Sequence, residues 1–459
     1  MSGQSPVLLT ASERFAAHVA GMQQAALPSS AQQAVQHFTL DTIGVGVAGA
    51  AQVYARGFGR VFTKGQGKSS VWGGGLKTEA AAAATINAFQ SHCQEFDCVH
   101  EAAVLHPFTV VVPVLMAEAQ ATGTMSGATY IAACAAGVDV AAGLGVAATS
   151  QIRFFRPATC GLFGAAAALA RARGLTPEQL THAFGYALAF AAGTMQAHVE
   201  GTPALAASVG HAARAAFDAV DLAEAGLPGP RGAIDGPFGY LALFEASSAI
   251  APVLESLGQT WRVSEVSWKP FPTGRAAHGG IDMALQLRAQ GVTPENLQTW
   301  TVFAPPLIHH LVGRPIQDLL EVNYARLCLP YCAAHALLFG SVGLEAFTPE
   351  ALCNRQTHAL AKRIEVVKVD NANAAAFTPQ RSVALTSDGH RLEASVETLL
   401  GSPLRPLTRE ARLAKFLACT GFAGLTQERA EEIIALVDAL PGLRDVARIA
   451  QLAGGGSPP

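Results

Sequence analysis

Charge is what this sequence has least of. Only 14% of its 459 residues are charged, and 31 basic against 34 acidic residues leave a net charge of −3. Without a basic surplus, no nucleic-acid partner is expected. The eight cysteines include no Cys-x-x-Cys pair, which argues against zinc-ribbon and thioredoxin-type sites. No basic and apolar leader opens the chain, so the thiols are expected to be reduced in a cytoplasmic protein. No phosphate-loop spacing occurs, since Gly67-Lys68-Ser69 falls in the wrong frame, and no dinucleotide Gly-x-Gly-x-x-Gly stands in a βαβ context. There is no Gly-x-Ser-x-Gly elbow and no His-Glu-x-x-His, and His309-His310 stand without a third ligand. Neither a metal nor a cofactor is therefore expected. Residues 128–148 have the length of a membrane span but carry Tyr130 and Asp139 in an Ala/Gly-rich run. They read as a buried helix, with no membrane partner.

What the chain has in abundance is apolar sequence. Half of it is hydrophobic, enough for a large core. Low charge with a positive mean hydropathy also suggests a surface partly covered by a subunit partner. From Thr10 to about residue 225 the pattern is helix after helix. Thr10-x-x-Glu13 and Thr176-Pro177-Glu178-Gln179 are capping boxes, the first opening a helix to about residue 24. Further helices are predicted over 126–148, 162–173 and 203–226, and 65–75 reads as loop. Gly44 to Gly49 form a small-residue surface suited to close helix contact. Near residue 264 the patterning changes. Strands are predicted at 299–303, 363–369, 382–386 and 391–396, with a hairpin turn at Asp388-Gly389 and a helix at 331–339. Residues 408–420 and 427–440 are helical again. The expected fold is mainly α: an all-helical domain of residues 1–265 and 400–453, plus a smaller α/β domain of 266–399. The composition of 454–459 predicts a disordered tail.

Four polar stretches interrupt this landscape. In residues 94–115, Asp97, His100, Glu101 and His106 fall within ten positions. Pro107 extends the backbone before it and suits the start of a helix, so His106 should sit at a helix N-terminus, where an anion such as a carboxylate is favoured. Lys269, Arg275 and His278 form a second group at a helix entrance; Arg can grip a carboxylate bidentately. Arg156 and Thr159 stand just before another helix. His198 precedes Glu200-Gly201-Thr202, and His211 lies inside the following helix as a packed core histidine. The ordinary structural alternatives are a capping histidine for His106, a solvated rim for Lys269 and Arg275, and a surface cap for Arg156.

These stretches, in this order, resemble the MmgE/PrpD family over residues 11–439. That family includes 2-methylcitrate dehydratase, cis-aconitate decarboxylase and iminodisuccinate epimerase. Phe96-Asp97…His100…His106-Pro107 is similar to its Phe-Asp-Asp-Thr-His…His-Pro segment. Arg156-Pro157-Ala158-Thr159-Cys160-Gly161-Leu162-Phe163-Gly164 resembles its His-Pro-Thr-x-Thr-x-Gly-x-Phe-Gly run. Lys269-Pro270-Phe271-Pro272…Arg275…His278 matches Lys-Pro-Tyr-Pro-x-x-Arg-x-x-His, and Leu329-Pro330-Tyr331 its Ser-Leu-Pro-Tyr. The resemblance implies a large helical domain with an α/β lid, a homodimer, and metal-free work on di- or tricarboxylates in the cleft between domains.

The departures bear on substrate. Cys98 and Val99 replace an Asp and a Thr, Arg156 replaces a His, and Leu205 and Ser208 stand where the family has Lys and His. The expected activity is a hydratase or dehydratase acting α to the carboxylate of a different, less highly charged substrate. His106 or His100 would take the proton, and the other, or His278, would protonate the leaving group. Asp97 would orient an imidazole. Lys269, Arg275 and Arg156, whose charge could replace what is lost, would hold the carboxylate. Thr159, His198 and Tyr331 would complete substrate binding. Alternatives are an epimerase or racemase, a decarboxylase, or a non-catalytic carboxylate-binding homologue.

Overall fold

Side-chain caps decide where several helices begin. Thr10 accepts from the Glu13 amide while Glu13 returns a bond to the Thr10 amide, and Thr176 with Gln179 does the same before Pro177–Phe190. The computed structural model describes residues 9–455, save for 64, 372, 374 and 375. Its architecture is mainly α with a small mixed sheet.

A first core gathers the helices up to Ala204–Glu224. Close backbone approach explains its glycines. A Cβ on Gly49 would stand 2.0 Å from the carbonyl oxygen of Gln90, and one on Gly137 would stand 2.6 Å from that of Gly164. Helix Ser29–Gly49 is thereby laid on Ala80–His92, and Gly127–Ala147 on Arg156–Arg173. The membrane-length helix Gly127–Ala147 is buried almost throughout. Its Asp139 is matched there by His18 and the Arg262 amide. Helices Arg409–Phe422, Gln427–Asp438 and Ala447–Gly454 return to this core through Phe416, Ile433 and Ile449.

A second core holds residues between Ala276 and Leu399. Its four-stranded sheet has the order Ile364–Lys368, Leu297–Ala304, Gln380–Thr386, Arg391–Val396, the first pair parallel and the others antiparallel. Trp300, Val302 and Ala304 alternate inward, as a half-buried strand requires. Gly389 turns the last hairpin at φ 87°.

Several expectations need correction. Helix Arg156–Arg173 starts six residues before position 162, because Pro157 is compatible with a first turn. The first helix ends at Gly21 and is followed by a separate 3-10 turn, Gln24–Ala26. The 65–75 loop contains strand Ser69–Ser70, paired with Lys77–Thr78. Gly454 is buried at the end of the last helix rather than in a tail, and residues 456–459 lie outside those described. His211 is exposed, not core.

Candidate active site

The first polar stretch is held in an unusual backbone shape. Glu95 (φ 49°) and Val104 (φ 52°) occupy the left-handed region, which is costly for a β-branched side chain, about 1–3 kcal/mol. Both line the same cavity. Two backbone pairs, Val99 with Ser267 and His100 with Val266, staple this stretch to the segment carrying Lys269. Lys269, fully buried, therefore donates to the Glu95 carboxylate at 3.0 Å and to the Glu95 carbonyl at 3.2 Å, and its Nζ lies 3.6 Å from Asp97 Oδ1. Asp97 Oδ2 accepts from Thr109 Oγ1 at 2.6 Å and pairs with His92 Nδ1 at 2.9 Å. It also lies 3.3 Å from His106 Nδ1.

Burial opposes every charge in this cluster, and the neighbours decide which survive. Burial alone would raise the Asp97 carboxyl, but His106, His92 and Lys269 hold it well below the usual carboxylate range. Against the same burial, Lys269 and His92 bring Glu95 down to about 2. Asp97 and Glu95 outweigh burial at His92 and raise it. At His106 burial prevails, pushing the imidazole down to about 4 although Asp97 pulls upward. His106 Nδ1 is 2.7 Å from the Cys98 carbonyl oxygen, which can only accept, so the ring proton sits on Nδ1. Nε2 keeps its lone pair and has no hydrogen-bond partner among the described residues. His92, Asp97 and His106 offer three ligand atoms within 4.8 Å of one another. The Nδ1 proton of His106 is committed to Cys98, however, and the Lys269 ammonium stands beside Asp97. The group fits a hydrogen-bonded ion cluster better than a metal ligand set.

His106 opens on a cavity of about 560 Å³, measured to its open mouth, between the two cores. Glu95 and His198 share its wall with Arg156 and Arg275. The two arginines are not free cations, contrary to expectation. Arg156 grips Glu245 through Nε and Nη2, each at 2.9 Å. Arg275 lies 2.9 and 2.8 Å from Glu101 through Nε and Nη2, and its Nη1 bonds the Trp268 and Leu400 carbonyls. Both guanidiniums are neutralised by the protein's own carboxylates.

Other expected site residues lie off the wall. His100 has both nitrogens engaged, Nε2 with Glu265 at 2.8 Å and Nδ1 with the Ala103 amide at 3.2 Å. His278 packs behind Arg275 at 3.3 Å, and burial with the Arg275 charge drives it well below the ordinary imidazole range. Thr159 bonds Tyr240 at 3.0 Å, and Tyr331 donates to the Ala346 carbonyl at 2.7 Å inside the second core. Sequence reasoning missed His92, Glu95 and the acid partner Glu245. His92, five residues before Asp97, was within reach of a spacing argument; Glu245 was not.

The MmgE/PrpD N-terminal domain matches residues 13–253, and the MmgE/PrpD C-terminal domain matches residues 271–440. The chain belongs to the MmgE/PrpD family. Within the family it is similar to cis-aconitate decarboxylase of Mus musculus, at 26% identity over 98% of this chain and 95% of that protein. The Homo sapiens cis-aconitate decarboxylase is 26% identical over 99% and 96%. That of Aspergillus terreus is 25% identical over 93% and 92%.

Three of the departures of this MmgE/PrpD chain, Val99, Arg156 and Leu205, line cavities. Val99 lies on the main wall. Leu205 faces a smaller neighbouring cavity with His92 and Gln52, and both cavities share Glu95. Ser208 is turned back on the Leu205 carbonyl at 2.6 Å.

Proposed function

We propose that this MmgE/PrpD protein is an enzyme acting on a small carboxylate by proton transfer at the carbon next to the carboxylate, in the manner of a hydro-lyase. One observation carries the reading: His106 presents an unprotonated Nε2 to the cavity, with its tautomer fixed from behind. A neutral imidazole so held is a general base. Asp97, anchored by Thr109, His92 and Lys269, faces the other ring nitrogen and stabilises the imidazolium that forms. Residues 266–399 act in this reading as the lid of a homodimeric cytoplasmic enzyme.

Carboxy-lyase activity is the second reading, favoured by the cis-aconitate decarboxylases among the relatives. Replacing a lost carboxylate with hydrogen needs a proton donor, however, and His106, lowered to about 4, is charged only in acid. A panel of 3-hydroxy and 2-enoic carboxylates plus cis-aconitate, followed by NMR, separates the two. We expect gain or loss of water with the wild type, and a fall of about 100-fold or more for folded His106→Asn. A folded His106→Asn that turns over at the wild-type rate overturns the proposal. Carbon dioxide as the product moves it to the second reading.

A further inference from the structure

We infer that the cavity selects a singly charged carboxylate with an apolar body, anchored by the His198 Nε2–H with Arg314 behind it. The inference takes the cavity of the proposed function as the substrate site and names the substrate class.

The charges on and behind the wall come first; Arg156 and Arg275 line it, and Lys269 lies buried behind Glu95. Lys269 is answered by Glu95 and Asp97, Arg156 by Glu245 and Arg275 by Glu101. Withdrawing Lys269 or Arg156 toward a ligand would leave a buried acid uncompensated, which is strongly unfavourable; Arg275 is held by the partly buried Glu101 and two backbone carbonyls. Val99, Val104, Ile152, Leu311, Val312 and Phe377 supply apolar wall. A tricarboxylate would carry three charges into this space, where both arginines on the wall are already paired. A single carboxylate on a hydrocarbon body would lose far less hydration.

One corner differs. Arg314 has no carboxylate within ion-pair distance among the described residues. Its Nη2 reaches His198 Nδ1 at 3.3 Å and the His198 and Leu311 carbonyls at 3.1 and 3.3 Å. Its Nη1 is buried with no hydrogen-bond partner among the described residues. Neither Arg314 nor Arg326, which also lacks a carboxylate, lines the cavity; Arg314 reaches it through the wall residue His198, whereas Arg326 bonds Gln94 and the Pro272 carbonyl. A guanidinium can only donate, so His198 Nδ1 accepts and the proton of the neutral ring sits on Nε2. His106 has the opposite tautomer. The two imidazoles on this wall are therefore one donor and one acceptor. A carboxylate oxygen on the His198 Nε2–H, stabilised by the unneutralised Arg314, leaves the adjacent carbon for the lone pair of His106.

Binding measured by calorimetry in the His106→Asn background, at matched ionic strength, tests this without turnover. The probes are crotonate and 3-methylcrotonate against citrate and cis-aconitate. The inference predicts that the monocarboxylates bind at least about tenfold more tightly, and that His198→Ala loses about tenfold or more of that affinity. His198→Asn, which keeps an N–H donor, should retain most of it. Glu245→Gln, which releases the Arg156 charge, should improve citrate relative to crotonate. Citrate or cis-aconitate binding as tightly as crotonate overturns the inference and leaves proton transfer by His106 standing. Unchanged affinity in a folded His198→Ala overturns the anchor. Binding of none of the four probes removes the cavity as a carboxylate site, and the proposed function with it.

Discussion

His100 and His106 show how little residue type says by itself. Both belong to one polar stretch and both are buried, yet they differ in what each ring nitrogen touches. His100 spends Nε2 on Glu265 and Nδ1 on the Ala103 amide, which makes it part of the staple between strands. His106 spends only Nδ1. Replacing His100 with Ala should therefore cost stability, about 1–2 kcal/mol, because Glu265 is partly solvated and can recover water. Turnover should stay within a few-fold of wild type. Denaturant midpoints and kcat/KM on the same preparation check both halves. That Asp97, His106 and Lys269 lie together was legible because they stand out from an apolar background. The fate of the arginines was not, since Arg156 finds Glu245 across 89 positions and Arg275 finds Glu101 across 174. No local spacing encodes such pairings.

At the scale of elements, signals local to the chain were readable. The capping boxes at Thr10 and Thr176, the tight glycine contacts of Ser29–Gly49 and the hairpin at Gly389 all follow from short motifs. The start of Arg156–Arg173 was not readable, because its first turn is stabilised from outside. Phe155 caps it without a side-chain bond, and Arg156 sits at the end of the helix where the dipole disfavours a cation. Glu245 offsets that charge. Glu245→Ala should therefore destabilise the protein by about 3–5 kcal/mol, the cost of leaving a buried guanidinium alone. Glu245→Gln, which keeps an acceptor, should cost clearly less. Chemical denaturation of the two variants in parallel gives the comparison. Equal losses would mean that packing, not charge, holds this turn.

In the whole molecule the cavity lies where two cores meet, and its wall draws Glu95, Val99 and His106 from one side and Arg275, Leu311 and Phe377 from the other. The convergence of stretches 174 residues apart could be expected from their polarity and family resemblance. The charge state of the result could not, because neutralisation emerges only when all the pairs are closed. A neutral base at an apolar seam is the central claim, and its pH dependence has a definite sign. His106 must be unprotonated to act, and its imidazole is lowered to about 4. The most direct measurement is uptake of solvent deuterium at the carbon beside the carboxylate of a bound ligand, followed from pH 3 to 8 in wild type and His106→Asn. Exchange is predicted in the wild type, level near neutrality and falling as the pH drops through about 4, and absent in the variant. Exchange at the wild-type rate in folded His106→Asn, or none in the wild type at any pH, would contradict the account.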